Sequence, residues 1–246
     1  MKKLLTVIFL LLTCSLFSQT QKYDFLYLNF SAGPSIPIGE FASNDINNPG
    51  AGFAKVGLKG ELSLGINLTP QIGLVAEVFL NSNGTKPDKM TEYLNSTFPG
   101  YRWNIESKKW NIYGLFTGLS FKTPVRKDMY VFIQAFGGFI NSTSPNFLYT
   151  ADSGNFSGTY NIESGTTSAM TYKLTTGLEY KLDKRFSLCG MIEYIGSKPK
   201  FKDIKTTTTF TNNTTGTNIY SSESRTSFDQ TLSVFNIGLG FKYFLY

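Results

Sequence analysis

The sequence predicts an all-β fold: an eight-stranded antiparallel up-and-down transmembrane β-barrel, with short periplasmic turns at one end and long extracellular loops at the other. Three observations lead there. Apolar and polar residues alternate in eight separate runs, as in strands with one oily face. The connections between the runs follow the order long, short, long, short, long, short, long. Beyond the first residues no stretch reaches the length of an apolar membrane helix, so a chain that crosses a bilayer must do so as strands.

Taken in order, DFLYLNFSAG (24–33) sets Leu26, Leu28, Phe30 and Ala32 against Tyr27, Asn29 and Ser31. AKVGLKGELSLGINL (54–68) sets Val56, Leu58, Leu62, Leu64 and Ile66 against Lys55, Lys59, Glu61, Ser63 and Asn67. After TPQ, IGLVAEVFL (72–80) continues with Leu74, Val78 and Leu80 outward and Glu77 and Phe79 inward, completing a hairpin. WNIYGLFTGLSF (110–121) and MYVFIQAFGGFI (129–140) form a second hairpin around KTPVRKD, with Phe116, Gln134 and Phe136 inward. TYKLTTGLEYKL (171–182) and RFSLCGMIEYI (185–195) form a third, with Lys173, Glu179, Lys181, Cys189 and Glu193 inward. The eighth run is FNIGLGFKYFLY (235–246), where Phe235, Ile237, Leu239, Phe241, Tyr243 and Leu245 share one face and Lys242 lies on the other. Between the hairpins lie polar stretches at about 34–53, 81–109, 141–169 and 197–230, expected to be loops.

Such a ribbon needs a nonpolar neighbour on one side and water or polar partners on the other. Closing the sheet leaves no unpaired edge in hydrocarbon, and an even strand number puts both termini at one end. A soluble secreted β-sandwich is the rival fold, since period-two strands occur there too.

MKKLLTVIFLLLTCSLFSQ has two lysines, an apolar run and then small or polar residues, the layout of a secretory signal peptide. Residues 1–18 are read as that signal and 19–246 as the barrel domain. LLTC offers an alternative, lipidation at Cys14, although Thr13 fits such a site poorly. Removing Lys2 and Lys3 takes the formal charge from +6 to +4, and the mature chain keeps Cys189 alone, which excludes an internal disulfide. The remaining basic residues form no cluster of the kind that binds nucleic acid.

The chain has no histidine, which removes His-dependent triads and His-ligated metals. No Walker-type phosphate loop is present, and no cofactor is expected. Cys189 lacks a histidine to activate it and is read as a buried thiol. The inward charges and amides Lys59, Glu61, Glu77, Gln134, Lys173, Glu179, Glu193 and Lys242 are read as a lumenal polar network, because an eight-stranded lumen is narrow and buried charges must pair. Phe136–Gly137–Gly138 is expected to let neighbouring side chains pack across the sheet. Trp103, Tyr149, Phe210 and Tyr220 are candidate loop contacts, aromatics of the kind that anchor interfaces. KTTTTFTNNTTGTNIYSS (205–222) is expected to be a protruding hairpin or mobile loop turning near NNTTG.

The signal, the eight runs, GPSIPIGEF (33–41) and the aromatic last strand together resemble the small outer-membrane β-barrel family, similar to the barrels of OmpA and OmpX and to PorT-like barrels. The resemblance implies a bacterial outer membrane with periplasmic termini, in contact with lipid and lipopolysaccharide. It also implies insertion by the barrel-assembly machinery reading Phe241, Tyr243 and Tyr246, with Tyr246 one residue out of phase with the outward series. The function expected is a non-enzymatic, surface-exposed structural or interaction module with an unidentified extracellular ligand or protein partner. The alternative is a narrow channel or small-molecule transporter using the charged lumen.

Overall fold

The computed structural model describes residues 25–245. The expected signal peptide and Tyr246 lie outside them. The strands in chain order are β1 (Leu26–Pro37), β2 (Gly57–Asn67), β3 (Ile72–Asn83), β4 (Arg102–Ser107), β5 (Trp110–Arg126), β6 (Met129–Thr143) and β7 (Phe147–Asp152). They continue with β8 (Phe156–Ile162), β9 (Thr166–Lys181), β10 (Phe186–Ser197), β11 (Lys200–Asn212), β12 (Thr217–Asp229) and β13 (Leu232–Leu245). One α-helix, α1 (Pro87–Thr97), precedes β4.

Eight strands close into an antiparallel barrel in the order β1-β13-β10-β9-β6-β5-β3-β2, each beside its neighbour among the barrel strands. The first and last strands seal it, from Leu26 against Leu245 to Pro37 against Val234. Alternation holds around the wall: Leu62, Leu64, Leu115, Leu119, Leu174, Leu178, Ile192 and Leu239 face outward and are exposed. Asn29, Ser31, Lys59, Glu77, Lys173 and Asn236 face inward and are buried. The molecule therefore inverts the usual soluble arrangement, with oil outside and charge within.

The short turns match the sequence reading. Thr69 Oγ1 accepts from the Gln71 and Ile72 amides at 3.2 and 2.9 Å. Asp183 Oδ1 accepts from Arg185 and Phe186 at 2.6 and 2.8 Å. Asp128 closes the third turn at φ +64°, a left-handed conformation that Asp tolerates better than most residues.

The long connections correct the expectation that they are loops. Five further strands form a second sheet, in the order β12-β11-β8-β7-β4, beyond the barrel end that carries the long connections. The Thr-rich segment is the hairpin β11–β12, turning at 213–216 with Gly216 at φ +67°. Barrel strands also run on past their apolar stretches, so β5 has 17 residues and β9 has 16, against the roughly 9–11 that span a bilayer. The alternation from Ala54 ends in a real strand only at Gly57, with Ala54 reduced to a single bridge to Thr85.

Helix α1 begins at Pro87, whose fixed φ suits the first helical position. Asn95 then clips it to β4, accepting from the Trp103 amide at 2.8 Å and donating to the Trp103 carbonyl at 3.3 Å.

Close approach explains two barrel glycines. A Cβ at Gly118 would lie 2.2 Å from the Ala135 carbonyl oxygen, and one at Gly138 would lie 2.1 Å from that of Leu115 and 2.7 Å from the Phe116 ring. The Phe136–Gly137–Gly138 cluster thus makes room for the Phe116 ring, as expected. Gly118→Val should lower the folded-to-unfolded ratio by about tenfold or more, since overpacking costs roughly 1–3 kcal/mol. Heat-dependent gel migration after refolding measures this; a wild-type folded fraction would contradict it.

Candidate functional site

Two places concentrate chemistry: the barrel lumen and the outer sheet. In the lumen, alternation on β2, β3, β9 and β10 converges Lys59, Glu61, Glu77, Lys173 and Glu193 at one level. Lys173 sits at the centre, its ammonium 3.3 Å from both Glu61 and Glu193 and ion-paired with Glu77. Lys59 bridges Glu61 at 3.0 Å and Glu193 at 2.5 Å. Ser31 donates to Glu61 at 2.6 Å, and Asn236 donates to Glu193 at 3.3 Å. The Lys173 ammonium also lies 4.6 Å from the centre of the Phe136 ring, a cation–π contact.

A second cluster lies nearer the termini. Lys242 pairs with Glu179, which also accepts from Ser187 at 3.2 Å, and Lys242 stands 4.4 Å over the Tyr27 ring. Lys122 and Lys181 flank the Phe244 ring at 5.8 and 5.2 Å, so Phe244 caps this end of the lumen. Gln134 borders the same lumenal space and donates to Ser120 at 3.2 Å. Cys189 is buried beside Phe132 and Met191.

The space left between the two clusters is small. The cavity bordered by Tyr27, Glu61, Glu77, Gln134 and Lys242 measures about 10 Å³, which is about one water.

Toward the long connections the lumen turns apolar, where the inward Phe79, Phe116 and Phe136 of the sequence reading gather. Phe79, Phe116, Phe136 and Ile140 stack above Lys173, and the core continues into the mouth through Ile112, Trp110 and Ile195. The segment after β1 folds down as a short 3-10 helix, Gly39–Ala42, and inserts Phe41, which is 0% exposed. Rings then run Phe41–Trp110–Phe201–Phe228 with centroids 5.4, 5.9 and 5.0 Å apart. Trp110 donates its indole N–H to the Gly52 carbonyl at 2.9 Å, fixing the plug. Trp110 opens an alternating run and so was legible as inward-facing. Phe41 lies in a segment without alternation, and its role depends on contacts more than 60 residues away in sequence.

Three of the four candidate loop contacts come together. Trp103 on β4, Tyr149 on β7 and Phe210 on β11 border one apolar cavity of about 330 Å³ on the outer sheet, with Leu94 of α1 at its side. Tyr220 lies next to Phe210 on β12, with ring centroids 6.2 Å apart, outside the cavity lining. Burial raises the pKa of the Tyr149 phenol, aided by neighbouring Tyr160. On β13, Phe241 and Tyr243 both contact Phe186, at 5.1 Å each.

Among the described residues no group of three or more His, Cys, Asp or Glu could hold a metal ion. No protein-family model matches the chain, and no curated protein matches it. Solved structures similar to it include Neisserial surface protein A, at 8% identity and TM-score 0.49 over 89% of this chain and 97% of that one. A major outer membrane protein of Thermus thermophilus has 12% identity and TM-score 0.42 over 89% and 98%. The attachment invasion locus protein Ail of Yersinia pestis has 8% identity and TM-score 0.39 over 89% and 97%. The closed barrel itself rests on the strand pairing given above.

Lys173 holds three carboxylates together, so removing its charge should leave Glu77 without a cation and Glu61 and Glu193 sharing Lys59 alone. Lys173→Met should destabilise the barrel by about 3–5 kcal/mol, read as a lower urea midpoint for refolding into detergent or lipid. Adding Glu77→Gln to Lys173→Met should recover part of that loss. A lone Lys173→Met variant as stable as wild type would show that the cluster carries no net charge coupling.

Proposed function

We propose that this chain is an integral outer-membrane β-barrel protein whose barrel anchors a surface-exposed interaction module, without catalysis. The observation that carries the proposal is a lumen filled along its length, while the polar connections beyond it fold into a sheet of their own. Ion passage needs a continuous wet path. Here paired charges, a band of phenylalanines and the Phe41–Trp110 plug occupy the bore.

The exterior supports a bilayer setting. Outward positions change from apolar to polar at one level on adjoining strands: Leu80 gives way to Ser82, Tyr113 to Asn111, Phe139 to Asn141, and Met170 to Ser168. Just inside this border, Tyr172, Tyr194 and Phe235 form a ring of aromatics with centroids 5.9 and 5.5 Å apart, the girdle such barrels place at an interface. At the other end Phe121, Tyr180, Phe186 and Phe241 occupy the matching level. The proposal includes export through residues 1–18 and insertion by the barrel-assembly machinery reading the last strand. It also includes periplasmic termini and contact with lipid and lipopolysaccharide.

Planar-bilayer recording tests it. The refolded protein should need detergent or lipid to stay dispersed and should pass no steady current. A steady conductance abolished by Glu77→Gln would overturn the anchor in favour of a channel.

A further inference from the structure

The outer sheet ends in two unlike edges. At one, β4 has 6 residues, and α1 is clipped to it through Asn95. At the other, β12 has 13 residues, is paired with β11 on one side only, and is exposed along nearly all of its length. A strand edge presents a row of unpaired amides and carbonyls, which proteins commonly blunt with Pro, Lys or a bulge. From Tyr220 to Phe228 the β12 edge has no Pro, Gly or Lys. The irregularity near its foot puts the extra residue on β11, where residues 202 and 203 lie against Ser227, so β12 keeps its alternation through to Phe228.

This edge is its own complement. When two copies of one strand pair antiparallel, a two-fold axis relates them. That axis must pass through a residue, because an axis between residues would set outward edge groups against groups that point away. With the axis at Ser224, Glu223 faces the second copy's Arg225, and Arg225 faces the second copy's Glu223. Ser222 then faces Thr226, and Tyr220 faces Phe228. Moving the axis to Glu223 or to Arg225 brings like charges face to face, which destabilises a strand pair.

Each copy carries unfinished halves of this joint. Phe228 stacks on Phe201 at 5.0 Å at the foot, and Tyr220 lies 6.2 Å from Phe210 near the tip. Alternation places Tyr220 and Phe228 on one face, so the register about Ser224 joins foot to tip in a row of four rings, twice. Within its own sheet Arg225 stands opposite Lys205, a like charge, while Lys205 is paired with Glu223 at 2.6 Å. The second copy's Glu223 gives Arg225 an opposite charge across the strand.

We propose that β12 is a docking edge for β12 of a second copy of this chain, joined antiparallel about Ser224. The inference rests on the reading of the outer sheet as an exposed interaction surface, and it names that surface's partner. Main-chain hydrogen bonds hold such a joint, and the exposed charges select its register. Chain order sets the direction: β12 runs from the tip near Gly216 back to the barrel at Leu232. Antiparallel strands therefore leave the two barrels at opposite ends of a joint about 30 Å long, as on two membranes held face to face.

The test uses phosphatidylcholine nanodiscs with one barrel each, which leave both barrel ends free, and reads pairing of discs by sedimentation. Wild-type discs should pair, and empty discs should not join them. Glu223→Arg and Arg225→Glu should each weaken pairing by about tenfold or more. Mixing discs of the two variants should restore pairing, as should both reversals in one chain. Under mild oxidation Ser224→Cys should give a disulfide-linked dimer, because facing Cα atoms lie roughly 4.5–5.5 Å apart, within disulfide reach. Ser222→Cys should give none, and Cys189 is buried away from the joint. Unpaired wild-type discs, pairing that ignores both reversals, capture of empty discs, or equal cross-linking through Ser222→Cys would each overturn the proposal. Discs that stay single while bilayers stay silent would refute self-pairing and leave the anchor intact; a steady conductance abolished by Glu77→Gln would remove the anchor whatever the discs do.

Discussion

Backbone pairing is the constraint from which the rest follows. A strand facing hydrocarbon has no water to satisfy its amides and carbonyls, and each unsatisfied group costs several kcal/mol. The pairing of β1 with β13 from Leu26–Leu245 to Pro37–Val234 turns an open run of paired strands into a ring without edges. Once the ring closes, alternation becomes obligatory. A slip of one residue on β2 would send Lys59 and Glu61 into the oil and Leu58 and Leu62 into the bore.

Closure at eight strands also dictates what the lumen can contain. The bore is just wide enough for side chains, so each inward residue meets residues from the opposite wall. Lys173 on β9 reaches Glu193 on neighbouring β10 and, across the bore, Glu77 on β3 and Glu61 on β2, tying opposite walls together. Buried ion pairs are in general no more stabilising than a well-packed apolar filling. They do give the polypeptide a unique set of partners across the bore, and the phenylalanine layer above them makes the same space dry.

The barrel was legible because each of its strands carries an oily outward face at period two, set on most of them against a polar inward one. Short turns announced themselves through Thr69, Asp128 and Asp183. The inward charges were also legible as positions on a face, and Lys59, Glu61, Glu77, Lys173, Glu179, Glu193 and Lys242 pair with one another in the lumen, whereas Lys55 is exposed. Of the outer sheet only the hairpin within 205–222 was legible, from its β-prone threonines and the NNTTG turn. In β7, β8, β11 and β12 threonines, asparagines and aromatics occupy both faces, partly exposed residues fall on both, and the amphipathic contrast fades. Only the pairing of β8 with β7 and β11 makes strands of them. Helix α1 has a single fully buried residue, Met90, too little to leave a helical stripe in the sequence. The candidate contacts Trp103, Tyr149 and Phe210 were recognisable as aromatics, yet their shared hollow depends on Ala151 and Gly158, small residues that carry no signal until register aligns them.

The hairpin β11–β12 grows directly from the tops of β10 and β13, with two or fewer intervening residues at each foot. Those two strands are zipped to each other from Phe186–Tyr243 to Ser197–Leu232, and on their other flanks to β9 and β1. A tug on the tip near Gly216 therefore pulls both legs lengthwise together, loading the outer ladders to β9 and β1 in shear. Rows of hydrogen bonds strained in parallel resist far more force than bonds peeled singly, so the projection is mechanically rooted like a mast stepped through the deck to the keel.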